Sequence, residues 1–186
     1  MIDATGKEER LQVVLDTSVL LNFLRVGRLD LLVWLPRHES LLTDHVQGEV
    51  TDPAHVGTLQ EALQGGRLRE VRVDDPAELA VFGRLAALRV LGVGECAALA
   101  LAVHRGLPIA IDDKTARKKA VALFGFERFV GTADLVVAAI RGGLIDVQGA
   151  DEMKMRWEED LRFRLGFESF AERLAYRPNL GPSHRL

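Results

Sequence analysis

The 186-residue sequence has little of what marks secreted, zinc-stabilised or strongly basic proteins. It contains one cysteine, Cys96, so no disulfide can form within the chain and a cysteine-rich zinc site is excluded. Its 5 histidines lie in no ligand-spaced pair. The formal net charge of -3 excludes a basic surface over the whole domain. Any nucleic acid must therefore be bound through a local patch or a metal.

Long apolar runs are also missing. None reaches the roughly 20 residues that a membrane-spanning helix needs, and the candidate "AALALAV" is far too short. The first residues, "MIDATGKEER", are polar and show no apolar segment of a signal peptide. We therefore expect a cytoplasmic protein that does not enter a membrane.

The composition is that of an ordinary globular protein, with 48% hydrophobic and 27% charged residues. Short apolar segments alternate with helical patterns along the chain, which predicts an α/β fold of three layers around a central, mainly parallel sheet. The predicted strands are 11–16, 39–44, 68–73, 107–112 and 127–132, of which 68–73 alternates polar and apolar residues as an edge strand does. We predict a main domain over 11–146, a C-terminal helical extension over 147–178, and flexible termini at 1–10 and 179–186.

The stretch "VVLDTSVLLNFL" places one acidic residue, Asp16, inside a strongly apolar segment. An ionised carboxylate without a partner is costly to bury, so Asp16 should be exposed, hydrogen-bonded or bound to a cation. In a parallel sheet, functional residues collect at the carboxyl ends of the strands. Asp112 and Asp113 end a later predicted strand, Glu95 opens the apolar helix "ECAALALAV", and Glu49 lies on the helix after "LLTD".

These acidic residues can meet at one edge of the sheet. Carboxylates that lie together repel one another, and a divalent cation relieves that repulsion. Oxygen ligands without cysteine or paired histidine favour Mg²⁺ or Mn²⁺ over Zn²⁺. The sequence therefore predicts a metal site at this edge. Its candidate catalytic residues are Asp16, Glu49, Glu95, Asp112 and Asp113, and all but Glu49 are candidate metal ligands.

Polar and basic residues beside these acids are candidates for substrate contact. Thr17 and Ser18 follow Asp16 at a helix start, where either can cap the helix and hold Asp16 in place. The stretch "DKTARKKA" puts Lys114 and Arg117 on the first turns of another helix, from which Arg117 can reach a phosphate at the acidic edge. A solvated helix face is the alternative for the basic run. Asp16 and Asp112 can likewise each be a helix N-cap and nothing more.

Four stretches, in this order, resemble the PIN-domain family: "VVLDTSVLLNFL", the glutamate of "GEV", "GVGECAALALAVHRGLPIAIDDKTARKKA" and "FVGTADLVVAAIRGGLI". Each motif is short, but together they extend over about residues 11–146. The resemblance implies a metal-dependent ribonuclease fold with Asp16, Glu49, Glu95 and Asp112 or Asp113 as its acidic set. It also implies Thr17 or Ser18 beside the metal and Arg117 near a substrate phosphate.

The VapC-like group of this family consists of ribonuclease toxins of type II toxin–antitoxin pairs. By that resemblance we expect an Mg²⁺- or Mn²⁺-dependent endoribonuclease that acts on RNA, forms a homodimer and is held inactive by an antitoxin protein. The alternative is a degenerate PIN-type binding module that acts through protein partners without turnover. Metal binding without RNA cleavage would distinguish the second possibility from the first.

Overall fold

The computed structural model describes residues 10–66 and 68–175. In this part of the chain the strands are β1 (Leu11–Leu15), β2 (His38–Thr43), β3 (Leu68–Val71), β4 (Ile109–Ala110) and β5 (Phe129–Val130). The helices are α1 (Thr17–Arg25), α2 (Asp30–Val33), α3 (Asp44–Gly48), α4 (Pro53–Gln64), α5 (Pro76–Ala86), α6 (Val93–Arg105), α7 (Lys114–Phe124), α8 (Thr132–Arg141), α9 (Val147–Asp160) and α10 (Phe170–Ala175).

The five described strands form one sheet in the order β3-β2-β1-β4-β5, and every described strand pairing is parallel. The α/β fold with a parallel central sheet is therefore confirmed, as is the edge position of β3. The chain moves outward from β1 to β3 and then returns to the other side of β1 with β4. This reversal is a topological switch point, the usual place for a ligand cleft in an open parallel sheet. Asp16 and Asp112 follow the two strands that flank it.

The predicted strands 107–112 and 127–132 are longer than β4 and β5, which have two residues each. Pro108 has no N–H to donate to a strand ladder, so regular pairing starts only after it. Beyond β4, the Ile111 N–H still donates to the carbonyl of Val130 at 3.1 Å. The chain then leaves the sheet, because the next two side chains bind the starts of helices.

The core is built around β1, β2 and helix α6. Residues 96–102 of α6 are all buried, as expected for a helix that is apolar nearly all round. Gly106 ends this helix in the left-handed conformation, with φ of 63°, which glycine adopts without strain. Helix α6 begins at the carboxyl edge of the sheet, and its first turn contains Glu95.

The C-terminal helices pack against the same core. Trp157 of α9 is fully buried and its Nε1 donates to the backbone carbonyl of Asn22 at 2.8 Å. Asp151 of α9 accepts hydrogen bonds from the Ser169 hydroxyl and the Phe170 N–H, at 2.7 and 2.8 Å, which fixes the start of α10. The boundary between 146 and 147 stays a prediction. The predicted flexible termini lie outside the described residues, apart from Arg10. None of the described helices is long and apolar enough to cross a membrane.

Candidate functional site

Asp16 lies directly after β1 and caps the N-terminus of α1. Its Oδ2 accepts hydrogen bonds from the Ser18 N–H at 3.1 Å and from the Ser18 hydroxyl at 2.5 Å. Its Oδ1 is buried, and no group in the described part of the chain donates to it. Burial raises the pKa of Asp16 to about 6, and the negative charge of Glu95 acts in the same direction. The N-cap alternative is thus correct for one oxygen, while the other has no protein partner among the described residues.

Glu49 is held between α1 and α6 at the end of α3. The Thr17 hydroxyl donates to Glu49 Oε2 at 2.5 Å, and the Gly94 N–H donates to Oε1 at 2.8 Å. A β-carbon on Gly94 would lie 2.5 Å from Glu49 Oε2 and 2.6 Å from Thr17 Oγ1, which is too close. The glycine therefore makes room for the carboxylate. Thr17 orients Glu49, and its expected place beside a metal or substrate stays a prediction.

Glu95 connects the acidic residues electrostatically. Its Oε2 accepts from the Gly92 N–H at 2.8 Å, at the N-terminus of α6. Its pKa is raised chiefly by burial and then by the negative charges of Asp113 and Glu49. Since the charge of Glu95 in turn raises the pKa of Asp16, these four carboxylates influence one another at the same edge of the sheet.

The adjacent residues Asp112 and Asp113 have different roles in the structure. Asp113 caps α7, because its Oδ1 accepts from the Ala116 N–H at 2.6 Å. Asp112 turns to the start of α8, where it accepts from the Thr132 N–H at 3.0 Å and from the Thr132 hydroxyl at 2.5 Å. The alternative that Asp112 caps the helix following it is wrong, since Asp113 occupies that position.

The described residues contain no group of three or more acidic, histidine or cysteine side chains at metal-binding spacing. The expected convergence on one shared cation is thus incomplete: the carboxylates influence one another, yet they do not surround a common point. The donor set nevertheless fits a hard divalent cation. It consists of carboxylate oxygens, it includes the unpartnered Oδ1 of Asp16, and two of its members have raised pKa values.

Arg117 is directed at the backbone rather than at open solvent. Its Nε donates to the Ile111 carbonyl at 2.8 Å, and its Nη2 donates to the carbonyls of Ile111 and Val130, the latter at 2.9 Å. The guanidinium therefore ties together the chain segments that follow β4 and β5. Its expected contact with a substrate phosphate stays a prediction. Lys114 and Ser18 are exposed at the starts of α7 and α1, where solvent and ligands can reach them.

The sequence prediction missed a polar cluster at the start of α8. Thr132 is fully buried, binds Asp112, and accepts from Asn22 Nδ2 at 3.2 Å. Asp134 Oδ2 accepts from the Gly131 N–H at 2.8 Å, and Asp134 Oδ1 accepts from Arg173 Nη2 at the same distance. The signal was the stretch "GTAD" after a strand, with an acidic residue three positions beyond the glycine, as at many helix starts.

Comparison with known proteins gives a family. A family model described as PIN domain (DUF3368) matches residues 12–170, and no curated protein matches the chain. The chain is similar in structure to a PilT N-terminus domain protein from Sulfolobus solfataricus P2, with a TM-score of 0.46, 12% identity, and coverage of 70% of this chain and 94% of that one. It is also similar to VapBC2 from Rickettsia felis, bound to a promoter DNA fragment, with a TM-score of 0.45, 11% identity, and coverage of 65% and 98%. The family match extends over most of the chain, which therefore belongs to the PIN-domain family.

Proposed function

We propose that this PIN-domain chain is a metal-dependent endoribonuclease that uses Mg²⁺ or Mn²⁺ to hydrolyse phosphodiesters of RNA, and that it is the toxin of a type II toxin–antitoxin pair. The observation that carries the nuclease proposal is Asp16, a fully buried carboxylate with one oxygen that accepts no hydrogen bond from the described residues. A buried, uncompensated negative charge costs several kcal/mol or more, and a cation removes that cost.

The residues available to hold the cation are carboxylates. Asp16 and Glu95 offer oxygens at the switch point, and the pair Asp112 and Asp113 follows the neighbouring strand. Such oxygen donors suit Mg²⁺ and Mn²⁺. The chemistry that the cation supplies when bound is neutralisation of phosphate charge and activation of water.

The chain itself keeps these groups in place. Ser18 fixes one oxygen of Asp16, so that its other oxygen stays available. Thr17 and the Gly94 N–H fix both oxygens of Glu49. Helices α1, α6 and α7 all begin at this edge, and the positive ends of their dipoles favour carboxylates and a phosphate there. Exposed Lys114 is well placed to contact the RNA backbone.

Cleavage of a mixed RNA substrate tests this proposal, with Mg²⁺, with Mn²⁺ and with EDTA, for the wild type, Asp16→Asn, Glu95→Gln and a control, Glu61→Gln. Glu61 is exposed on α4, so its variant should cleave as the wild type does. We expect Asp16→Asn and Glu95→Gln to lose at least about a hundredfold in rate, because even changes behind the ligands of a metal site cost about 10- to 100-fold.

Two results would contradict the nuclease proposal. Full cleavage in EDTA would refute the metal requirement. Metal binding without cleavage of any RNA would favour the degenerate binding module.

The antitoxin partner and the homodimer stay predictions from the sequence resemblance. Light scattering of the purified chain, alone and with a candidate antitoxin, measures both.

A further inference from the structure

A chain of hydrogen bonds behind the acidic edge is not used by the proposed chemistry. Asn22 Nδ2 of α1 donates to Thr132 Oγ1 at 3.2 Å, and the same hydroxyl donates to Asp112 Oδ2 at 2.5 Å. The Thr132 N–H donates to Asp112 Oδ1 at 3.0 Å. Thr132 is 0% exposed and Asn22 is 6% exposed, so the bond between them is buried, whereas Asp112 is partly exposed.

The donor and the acceptor of each of these hydrogen bonds are determined by chemistry. An amide NH₂ can only donate, and an ionised carboxylate can only accept. The Thr132 hydroxyl therefore accepts from Asn22 and points its proton at Asp112. Both oxygens of Asp112 accept hydrogen bonds from one residue. Hydrogen bonds of this kind orient the carboxylates of metal sites.

Contacts from Arg117 hold the same segment as well. Arg117 Nη2 donates to the carbonyls of Ile111 and Val130, which precede Asp112 and Gly131. A β-carbon on Gly131 would lie 2.9 Å from Asp112 Oδ1 and 3.3 Å from Arg117 Nη2. The site is thus packed so closely that the direction of the Asp112 side chain has little freedom.

The neighbouring carboxylate, Asp113, interacts electrostatically with another of the acids. The charge of Asp113 contributes to the raised pKa of Glu95, which in turn contributes to that of Asp16. The Oδ1 of Asp113 caps α7, and its side chain is exposed. The two adjacent acids therefore differ: both oxygens of Asp112 accept hydrogen bonds from Thr132, whereas Asp113 is exposed and acts electrostatically on Glu95.

We propose that Asp112 and Thr132 are positioning residues that hold the end of β4, and that Asp113 rather than Asp112 contacts the cation. The part that concerns the cation rests on the proposed function. The part that concerns the hydrogen bonds from Thr132 to Asp112, called the clamp below, does not rest on it. These bonds can be tested in the protein without metal.

The test is a double-mutant cycle of Asp112→Asn and Thr132→Val. Urea unfolding in EDTA measures the clamp, and calorimetry with Mn²⁺ measures the cation site. Thr132→Ser keeps the hydroxyl, so it should keep the Mn²⁺ affinity of the wild type and lose only the small stability contributed by one buried methyl group. Thr58→Val, an exposed threonine on α4, is the matched control for loss of a hydroxyl. Asp113→Asn completes the set.

We expect Asp112→Asn and Thr132→Val to lower the free energy of unfolding by similar amounts. The double variant should be no less stable than the less stable of the two single variants. Their Mn²⁺ affinities should fall together and without additivity, while Asp113→Asn alone should lower affinity at least about tenfold. Additive losses of stability would overturn the clamp. A loss of Mn²⁺ affinity in Asp112→Asn at least about tenfold greater than in Thr132→Val would show that Asp112 is itself a ligand. A wild type that binds no Mn²⁺ would refute the proposed function, and the unfolding cycle would still decide the clamp.

Discussion

At the scale of single residues, Asp16 gives the protein a definite dependence on pH. Burial raises the folded-state pKa of this carboxyl to about 6, above the ordinary value of 3.8. Its contribution to stability is therefore present at about pH 4 and lost as the pH rises through about 6. The shift corresponds to roughly 3 kcal/mol. We expect the metal-free wild type to lose up to that amount relative to Asp16→Asn between about pH 4 and about pH 8, measured by urea unfolding in EDTA.

Mg²⁺ should reverse the loss in the wild type. A cation at Oδ1 favours the ionised carboxylate, so its binding should release protons below about pH 6 and raise the free energy of unfolding. Asp16→Asn should show neither effect. Identical pH profiles for the wild type and Asp16→Asn would contradict the assignment of a buried carboxylate with one unpartnered oxygen at this position.

The sequence could identify the acidic residues but not the direction of their side chains. Asp16 and Glu95 were predictable because Asp16 interrupts an apolar stretch and Glu95 opens an apolar helix, whereas Glu49 depended on its place after the strand "LLTD" and on the family resemblance. The direction of the Asp112 side chain depends on Thr132, which is 20 positions away in the chain. The direction of the Arg117 side chain could not be predicted either, because the two carbonyls that it binds come together only when β4 and β5 pair.

At the scale of elements, the first turn of α6 fits the site only because residue 94 has no side chain. Gly94→Ala would place a β-carbon 2.5 Å from Glu49 Oε2, so the Glu49 carboxylate and Thr17 must move. We expect this variant to lose RNA cleavage and to be destabilised, although alanine is the better helix former by about 1 kcal/mol. Cleavage assays and urea unfolding measure the two effects.

Gly57→Ala on α4 is the matched control for that prediction. A β-carbon there would meet nothing within 4 Å, so the change should stabilise the protein by about 0.5–1 kcal/mol and leave cleavage unchanged. A gain of stability in Gly94→Ala of the same size as in Gly57→Ala would show that the first turn of α6 tolerates a side chain.

Element types were more predictable than element lengths. The alternation of apolar strands with helical patterns predicted every described strand and the edge position of β3. The length of β4 was overestimated, because the run "LPIAID" contains a proline that cannot donate and an aspartate that leaves the sheet for α8. Such endings depend on tertiary contacts and not on local propensity.

At the scale of the whole molecule, Trp157 joins the C-terminal helices to the acidic edge. Its ring packs edge-on against Phe23 and Phe163, with ring centroids 5.8 Å apart in each pair. Its Nε1 donates to the backbone carbonyl of Asn22, whose side chain donates to Thr132. The described part of the extension, 147–175, is therefore continuous with the core and with the clamp on Asp112.

Replacing Trp157 should weaken the whole fold. Trp157→Ala should cost about 3–5 kcal/mol in unfolding free energy, because it empties a fully buried site. Trp157→Phe keeps most of the ring but leaves the Asn22 carbonyl without its donor, so about 1–3 kcal/mol is expected. Met155→Ala, on the same helix but 51% exposed, should change stability by less than about 0.5 kcal/mol.

Urea unfolding of the three variants and of a chain ending at residue 146 measures these effects. Wild-type stability in that shortened chain would show that 11–146 folds without the extension, whereas the burial of Trp157 predicts a loss at least as large as in Trp157→Ala.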